Sequence, residues 1–211
     1  MVTTKSSDTS TFRPFPAETP DTRATILRAA VSIIDSHGAT ALTVRSVAAA
    51  AGCSTTGVYT WFGGKNKLVE AIFLDGFRRF GGTLDRVGRG ANELDRVALL
   101  GAAYRRWALT NPTHYVVMFG HAVPDYQPSA EARSVARATF DGLVNAVADS
   151  IRVGSIDGEP FEIANHLWAA IHGYVSLELA GMAFETTAAA RKRTFDAGMR
   201  RLITGCLVPT D

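Results

Sequence analysis

Cysteine is scarce. The two in these 211 residues, Cys53 and Cys206, stand far apart with no Cys-x-x-Cys or Cys/His spacing. That excludes a disulfide scaffold or zinc finger and fits a reducing cytoplasm, the compartment expected here. A long uncharged apolar run is also missing. The nearest approach, HLWAAIHGYVSLELAGMAF from 166 to 184, carries His166, His172 and Glu178, so it reads as a buried or interface helix and not as a membrane span. The first twenty residues are rich in Ser, Thr and Pro and lack the apolar core of a signal peptide; residues 1–20 are expected to form a disordered or extended arm. Net charge is small, +2, so a nucleic-acid partner has to be argued from local clustering. No run alternates with period two between hairpin turns, and no internal repeat is found. A phosphate loop, a complete metal set and an ordered nucleophile, base and orienter are absent as well, which leaves an enzyme as a poor second reading. Glu162 and His166 have the i, i+4 spacing of helical ligands but no third partner, so neither metal nor cofactor is expected.

What is present is helical spacing. With 46% hydrophobic and 20% charged residues, the chain can bury a sizeable core, and its apolar positions predict an all-α fold of about nine helices, three small and six larger. The first runs from Asp21 to His37, with Ile26, Leu27, Ala30, Ile33 and Ile34 on one face and Gly38 as its stop. In LTVRSVAAAAGCS, Thr43 can cap a short second helix striped by Val44, Val47, Ala48 and Ala51, and Gly52 supplies the left-handed residue that ends it. Ser54 can cap a third through Phe62; Gly63 and Gly64 break the chain, and a fourth starts near Lys65. Later segments are longer. NELDRVALLGAAYRRWALT is one helix, NPTHYVVMFG starts another with Asn111 as cap and Pro112 in the first turn, and GHAVPDYQPS is a loop. Helices are expected over about 129–152, 160–182 and 187–206. The domain boundary is placed after residue 67: 21–67, then 68–211.

Small residues followed by a turn glycine, Ala48 to Gly52, suit the crossing of two helices packed closely, as in a helix-turn-helix. Val58 and Phe62 supply the buried side of the second helix. Thr55, Thr56 and Gly57 then lie near its N-terminus, with Thr60 one turn on; threonine hydroxyls can bond bases or phosphates, and glycine lets the backbone come close. Tyr59 offers a phenol and Trp61 an indole N–H to phosphate. Lys65 opens the next helix, where its charge and the free N–H groups can hold a phosphate together. Between Thr43 and Lys67 there are three basic residues and no acidic one.

The stretch LTVRSVAAAAGCSTTGVYTWFGGKNKLVEAIF, residues 42–73, resembles the DNA-binding signature of the TetR family of bacterial transcriptional regulators. That resemblance implies an all-helical homodimer that binds a palindromic operator in double-stranded DNA and releases it when a small molecule enters the C-terminal domain. It also implies Thr43 and Arg45 near DNA on the supporting helix, Thr55, Thr56, Gly57, Tyr59, Thr60 and Trp61 on the recognition helix, and Lys65 on a phosphate. Two positions depart from the pattern: Gly64 stands where a capping Ser or Asp is frequent, and Trp61 where His or Tyr is. LWAAIHGYVSLEL and NPTHYVVMF resemble one subset of the family whose signature is Trp-x(3)-His-Gly, here Trp168, His172 and Gly173.

The family's ligand cavity lies inside the C-terminal bundle, so Tyr104, Trp107, His114, Tyr115, Met118, Phe119, Asn165 and Trp168 are candidates for pocket and core alike. Apolar walls with a few polar tips imply a lipophilic or aromatic effector. The last two helices are expected to pair with their copies, with Ile171, His172, Gly173, Val175, Phe195 and Met199 as interface candidates. Cys53 reads as an inert spacer and the RKR at 191–193 as a solvated helix face. The function expected is ligand-released repression; an activator or architectural dimer without a ligand is the alternative.

Overall fold

A computed structural model describes residues 20–88, 92–120 and 122–207; of the expected N-terminal arm, residues 1–19 lie outside that range. Among the described residues there are nine α-helices and no strand, the only β pairing being an isolated bridge between Ile156 and Leu207. The helices are α1 (Pro20–His37), α2 (Val44–Ala51), α3 (Thr55–Phe62), α4 (Lys65–Asp85), α5 (Glu93–Thr110), α6 (Pro112–Phe119), α7 (Ala130–Arg152), α8 (Pro160–Leu179) and α9 (Ala188–Thr204). A single 3-10 turn, Ala39–Ala41, follows α1.

Local chemistry sets the ends of the small helices. Thr43 caps α2 in a reciprocal box with Ser46: the Thr43 hydroxyl accepts from the Ser46 N–H, and the Ser46 hydroxyl accepts from the Thr43 N–H, both at 3.0 Å. Such a box satisfies two otherwise orphaned donors. Ser54 caps α3 through the Gly57 N–H at 3.0 Å. Gly52 and Gly63 end these helices in the left-handed region, at φ 66° and 70°, a conformation that a residue with a Cβ adopts only at a cost. Eight-residue helices are marginal alone. Here they are held by Val47, Ala48, Val58 and Phe62, buried against Ile26, Ala30, Leu42 and Leu68, each large side chain contributing about 1.5–3 kcal/mol.

Helix α4 joins the two halves. It starts at the end of α3 and runs on into the bundle, burying Leu68, Val69, Ile72, Phe73, Phe77 and Phe80 along one face. The larger half packs α4, α5, α7 and α8 together, with α9 against α5 and α8, and α6 wedged between α1 and α4. Gly76 makes the α4–α6 approach possible, since a Cβ there would stand 2.6 Å from Met118 Sδ. Asn111 differs from expectation. It closes α5 by donating its side-chain N–H to the Trp107 carbonyl at 2.9 Å, and it makes no side-chain cap on α6. The RKR segment differs too. Arg191 and Arg105 converge on Glu178, at 3.0 Å and at 2.7 and 2.9 Å, clamping α5, α8 and α9. Only Lys192 and Arg193 lie on the solvated face. No described helix is long and apolar enough to cross a membrane.

Candidate nucleic-acid interface and ligand cavity

The outward side of α2 and α3 gathers Thr43, Arg45, Thr55, Thr56, Tyr59 and Thr60, all exposed, around the half-buried Gly57. Not every group there is free. The Thr43 hydroxyl is spent on the cap, and Thr60 donates to the Thr56 carbonyl at 3.0 Å, leaving its methyl and oxygen lone pairs outward. Tyr59 is the large exposed aromatic of α3, at 55%. A Cβ at Gly64 would lie 3.6 Å from its ring. Gly64 precedes α4 at φ 136° and contributes no capping side chain. Lys65 follows it, half-buried, whereas Lys67 is engaged with Glu70 at 2.8 Å. Trp61 corrects its expectation: its ring packs on the core and its indole N–H is sealed from solvent without an acceptor, so no donor faces a phosphate there. Burial pushes the Cys53 thiol up, which keeps it protonated and unreactive.

A cavity of about 540 Å³ opens between α4, α5, α7 and α8. Of the expected pocket residues, Tyr104, Phe119, Asn165 and Trp168 line it, and so does Ile171. Trp107, His114, Tyr115 and Met118 do not. Trp107 packs on Phe80, ring centroids 5.1 Å apart, and Met118 fills the space at Gly76. His114 is bound at 3.3 Å to Asp75, and that hydrogen bond, assisted by Arg79 at 2.7 Å, holds the Asp75 carboxyl low against the opposing effect of burial. Thr113 donates to Asp35 at 2.6 Å. Thus α6 touches both α1 and α4. Sequence reasoning misses the α4 and α7 walls, including Phe77, Phe80 and Phe140, and above all the helical glycines Gly81, Gly82, Gly101 and Gly142. A glycine pair inside a helical pattern is the available signal.

Behind Tyr104 and Phe119 lies a buried polar node. Burial lowers the His172 imidazole and raises the phenols of Tyr104 and Tyr115, which favours the neutral form of all three. The Tyr115 hydroxyl and His172 Nδ1 are hydrogen-bonded at 2.7 Å, and the Tyr104 hydroxyl lies 3.2 Å from the same nitrogen and 3.4 Å from Tyr115. His172 stacks on Trp168. The node joins cavity wall to α6.

The interface candidates divide by side of the helix. Ile171, Val175, Phe195 and Met199 are buried within the chain itself, at 2%, 0%, 3% and 4% exposure, because they form the inward stripes of α8 and α9 against α5. They are not available to a second copy. His172 also points inward. Gly173 has open space where its Cβ would be, whereas a Cβ at Gly198 on α9 would stand 2.6 Å from the Tyr174 hydroxyl of α8. Tyr174, Leu177 and Leu202 are large apolar side chains left exposed on these two helices, as is Phe161 in the first turn of α8.

Comparison with known proteins gives this arrangement a family. Residues 26–72 match bacterial regulatory proteins of the tetR family, and residues 97–202 match the tetracyclin repressor-like C-terminal domain. An HTH-type transcriptional regulator of Mycobacterium tuberculosis is 25% identical over 197 residues, covering 79% of this chain and 84% of the relative. A second from that organism is 29% identical over 165 residues, covering 76% and 71%. Among solved structures, a Rhodococcus sp. RHA1 protein of unknown function shares the fold at TM-score 0.79, with 24% identity over 92% of this chain and 99% of that one. A tetR-family regulatory protein from Rhodococcus RHA1 shares it at TM-score 0.72, with 20% identity over 90% and 100%. With both halves matched, on a fold that turns a threonine-rich helix outward, the chain belongs to the TetR family and is a DNA-binding transcriptional regulator, not an enzyme.

Proposed function

We propose that this regulator is a homodimeric repressor released from a palindromic operator by a small lipophilic or aromatic molecule bound in the α4–α5–α7–α8 cavity. The observation that carries the reading is the course of α4, which opens with Lys65 beside the recognition helix and lines the cavity from Phe77 to Asp85. Thr55, Thr56, Gly57 and Thr60 read base edges, while Arg45, Tyr59 and Lys65 engage phosphates. A two-fold dimer through the outer faces of α8 and α9, around Gly173, Tyr174, Leu177 and Leu202, sets two recognition helices about 34 Å apart in successive major grooves. Filling the cavity moves α4 relative to α1 and α6 and spoils that spacing. An effector that lowers operator affinity a thousandfold must favour the released state by about 4 kcal/mol.

Selection of bound duplexes from a random library at near-physiological salt tests the first half of this reading. A palindrome is expected; enrichment of asymmetric or unrelated sequences by a folded protein refutes it. The enriched duplex then serves as the probe for release, and a duplex that no cavity ligand releases favours the activator or architectural dimer.

A further inference from the structure

We propose that the effector is an amphipathic carboxylic acid, with its apolar body in the cavity and its carboxylate on Arg96. The inference rests on the cavity reading above and adds the chemistry of the head group. Three arginines, Arg78, Arg96 and Arg137, line the cavity against one acid, Asp85, so a cationic ligand is disfavoured and an anionic one is matched.

The three arginines are not equivalent. Arg137 is already occupied: its Nε is 2.7 Å from Asp141, and its guanidinium lies over the Phe140 and Phe161 rings at 5.6 and 5.3 Å. Arg78 is exposed and contributes mainly field. Arg96 is largely buried, its side chain 28% exposed, with one long ion pair of 3.7 Å to Asp149, a carboxylate that Arg152 holds at 2.8 Å. Its Nε is sealed from water and has no acceptor. With Nε sealed, a carboxylate in the cavity meets the terminal N–H groups of this guanidinium, whose ion pair to Asp149 is too long to satisfy them. A neutral ligand would leave that positive charge without a close counter-ion. Elsewhere the walls are mostly aromatic, aliphatic or bare glycine backbone, and 540 Å³ falls within the roughly 300–1,000 Å³ of small-molecule sites. Head and body are therefore both specified.

The test is isothermal titration of the full chain with dodecanoate, dodecanol and dodecyltrimethylammonium below their aggregation limits, on the native protein, Arg96→Gln and Arg96→Lys. Melting followed by circular dichroism confirms that each variant is folded. Dodecanoate is expected to bind at least about tenfold tighter than dodecanol, the worth of one charge-assisted hydrogen bond in a shielded site. Arg96→Gln should erase that gap while leaving dodecanol within about twofold, and Arg96→Lys should restore part of it. Equal affinity for acid and alcohol, tighter binding of the cation, or an acid preference untouched in Arg96→Gln overturns the proposal. The cavity itself is followed separately with the neutral probe N-phenyl-1-naphthylamine and Gly142→Leu. If probe and dodecanol bind and the substitution excludes them, the cavity stands even where the head-group assignment has failed. If no probe binds, the cavity reading falls and takes the assignment with it.

Discussion

One substitution, glycine to alanine, should change stability in opposite directions at two helical positions. Gly142 lies in the interior of α7 and lines the cavity, and a Cβ there meets nothing within 4 Å. Alanine removes backbone freedom from the unfolded chain without a clash, so Gly142→Ala should stabilise by about 0.5–1 kcal/mol. For a chain of this size that raises Tm by about 1–4 °C. Gly76 lies in the interior of α4, where a Cβ would stand 2.6 Å from Met118 Sδ, 3.1 Å from Met118 Cγ and 3.5 Å from His114 Cβ. Met118 is itself only 7% exposed and cannot simply swing out. Overpacking costs about 1–3 kcal/mol, more than the gain of about 1 kcal/mol in helix propensity, so Gly76→Ala should lower Tm by a few degrees. Both are read by calorimetric melting at one protomer concentration, because dimerisation is linked to stability. A lower Tm for Gly142→Ala would refute the open space at that cavity wall, and a higher one for Gly76→Ala would refute the tight approach of α4 and α6.

Lys65→Ala should weaken binding to all duplexes and reduce the salt slope by about one per protomer, whereas Trp61→Phe should leave the slope unchanged; a matching loss in both would return the indole to the DNA surface. Glu178→Gln leaves Arg105 and Arg191 facing each other without their anion, and urea unfolding should register a loss of roughly 3 kcal/mol; a change within experimental scatter would show the clamp to be dispensable. Asp75 has a carboxyl held below its ordinary value by His114 and Arg79, so it contributes stability above about pH 4 that fades as pH falls through its lower folded value. The melting gap between the native protein and Asp75→Asn should therefore be widest near neutrality and close in acid; a gap constant from pH 7 to pH 3 would contradict the assignment.

Features decided by neighbouring residues are legible in the chain alone. The caps at Thr43 and Ser54 and the stops at Gly52 and Gly63 depend on residues within a few positions, and the structure has them where the sequence puts them. The C-terminal assignments depend on direction, which composition does not carry. Helix α8 bears apolar residues on two sides, Ile171 and Val175 inward, Tyr174 and Leu177 outward, and periodicity cannot say which stripe meets the chain's own core. Likewise Trp107 and Trp168 are the same residue type on neighbouring helices, yet one packs on Phe80 and the other lines the cavity. Arg191 reads as solvated beside Lys192 and Arg193, and only folding brings Glu178 to it from α8. The cavity walls escape a search for side chains because they consist largely of missing ones, four glycines in three helices.

The bare start of α4 has a consequence for the complex with DNA. At φ 136°, Gly64 holds a conformation that serine or aspartate does not readily adopt, and α4 consequently begins without a side-chain cap. On the proposed reading, an operator phosphate beside Lys65 accepts the bonds that a capping hydroxyl or carboxylate accepts in other helices. The operator then completes the helix that the chain leaves open, and the first turn of α4 should exchange its amide hydrogens more slowly on DNA than in the free protein. Release by an effector would undo that completion, so the turn that links cavity to recognition helix frays as the DNA departs.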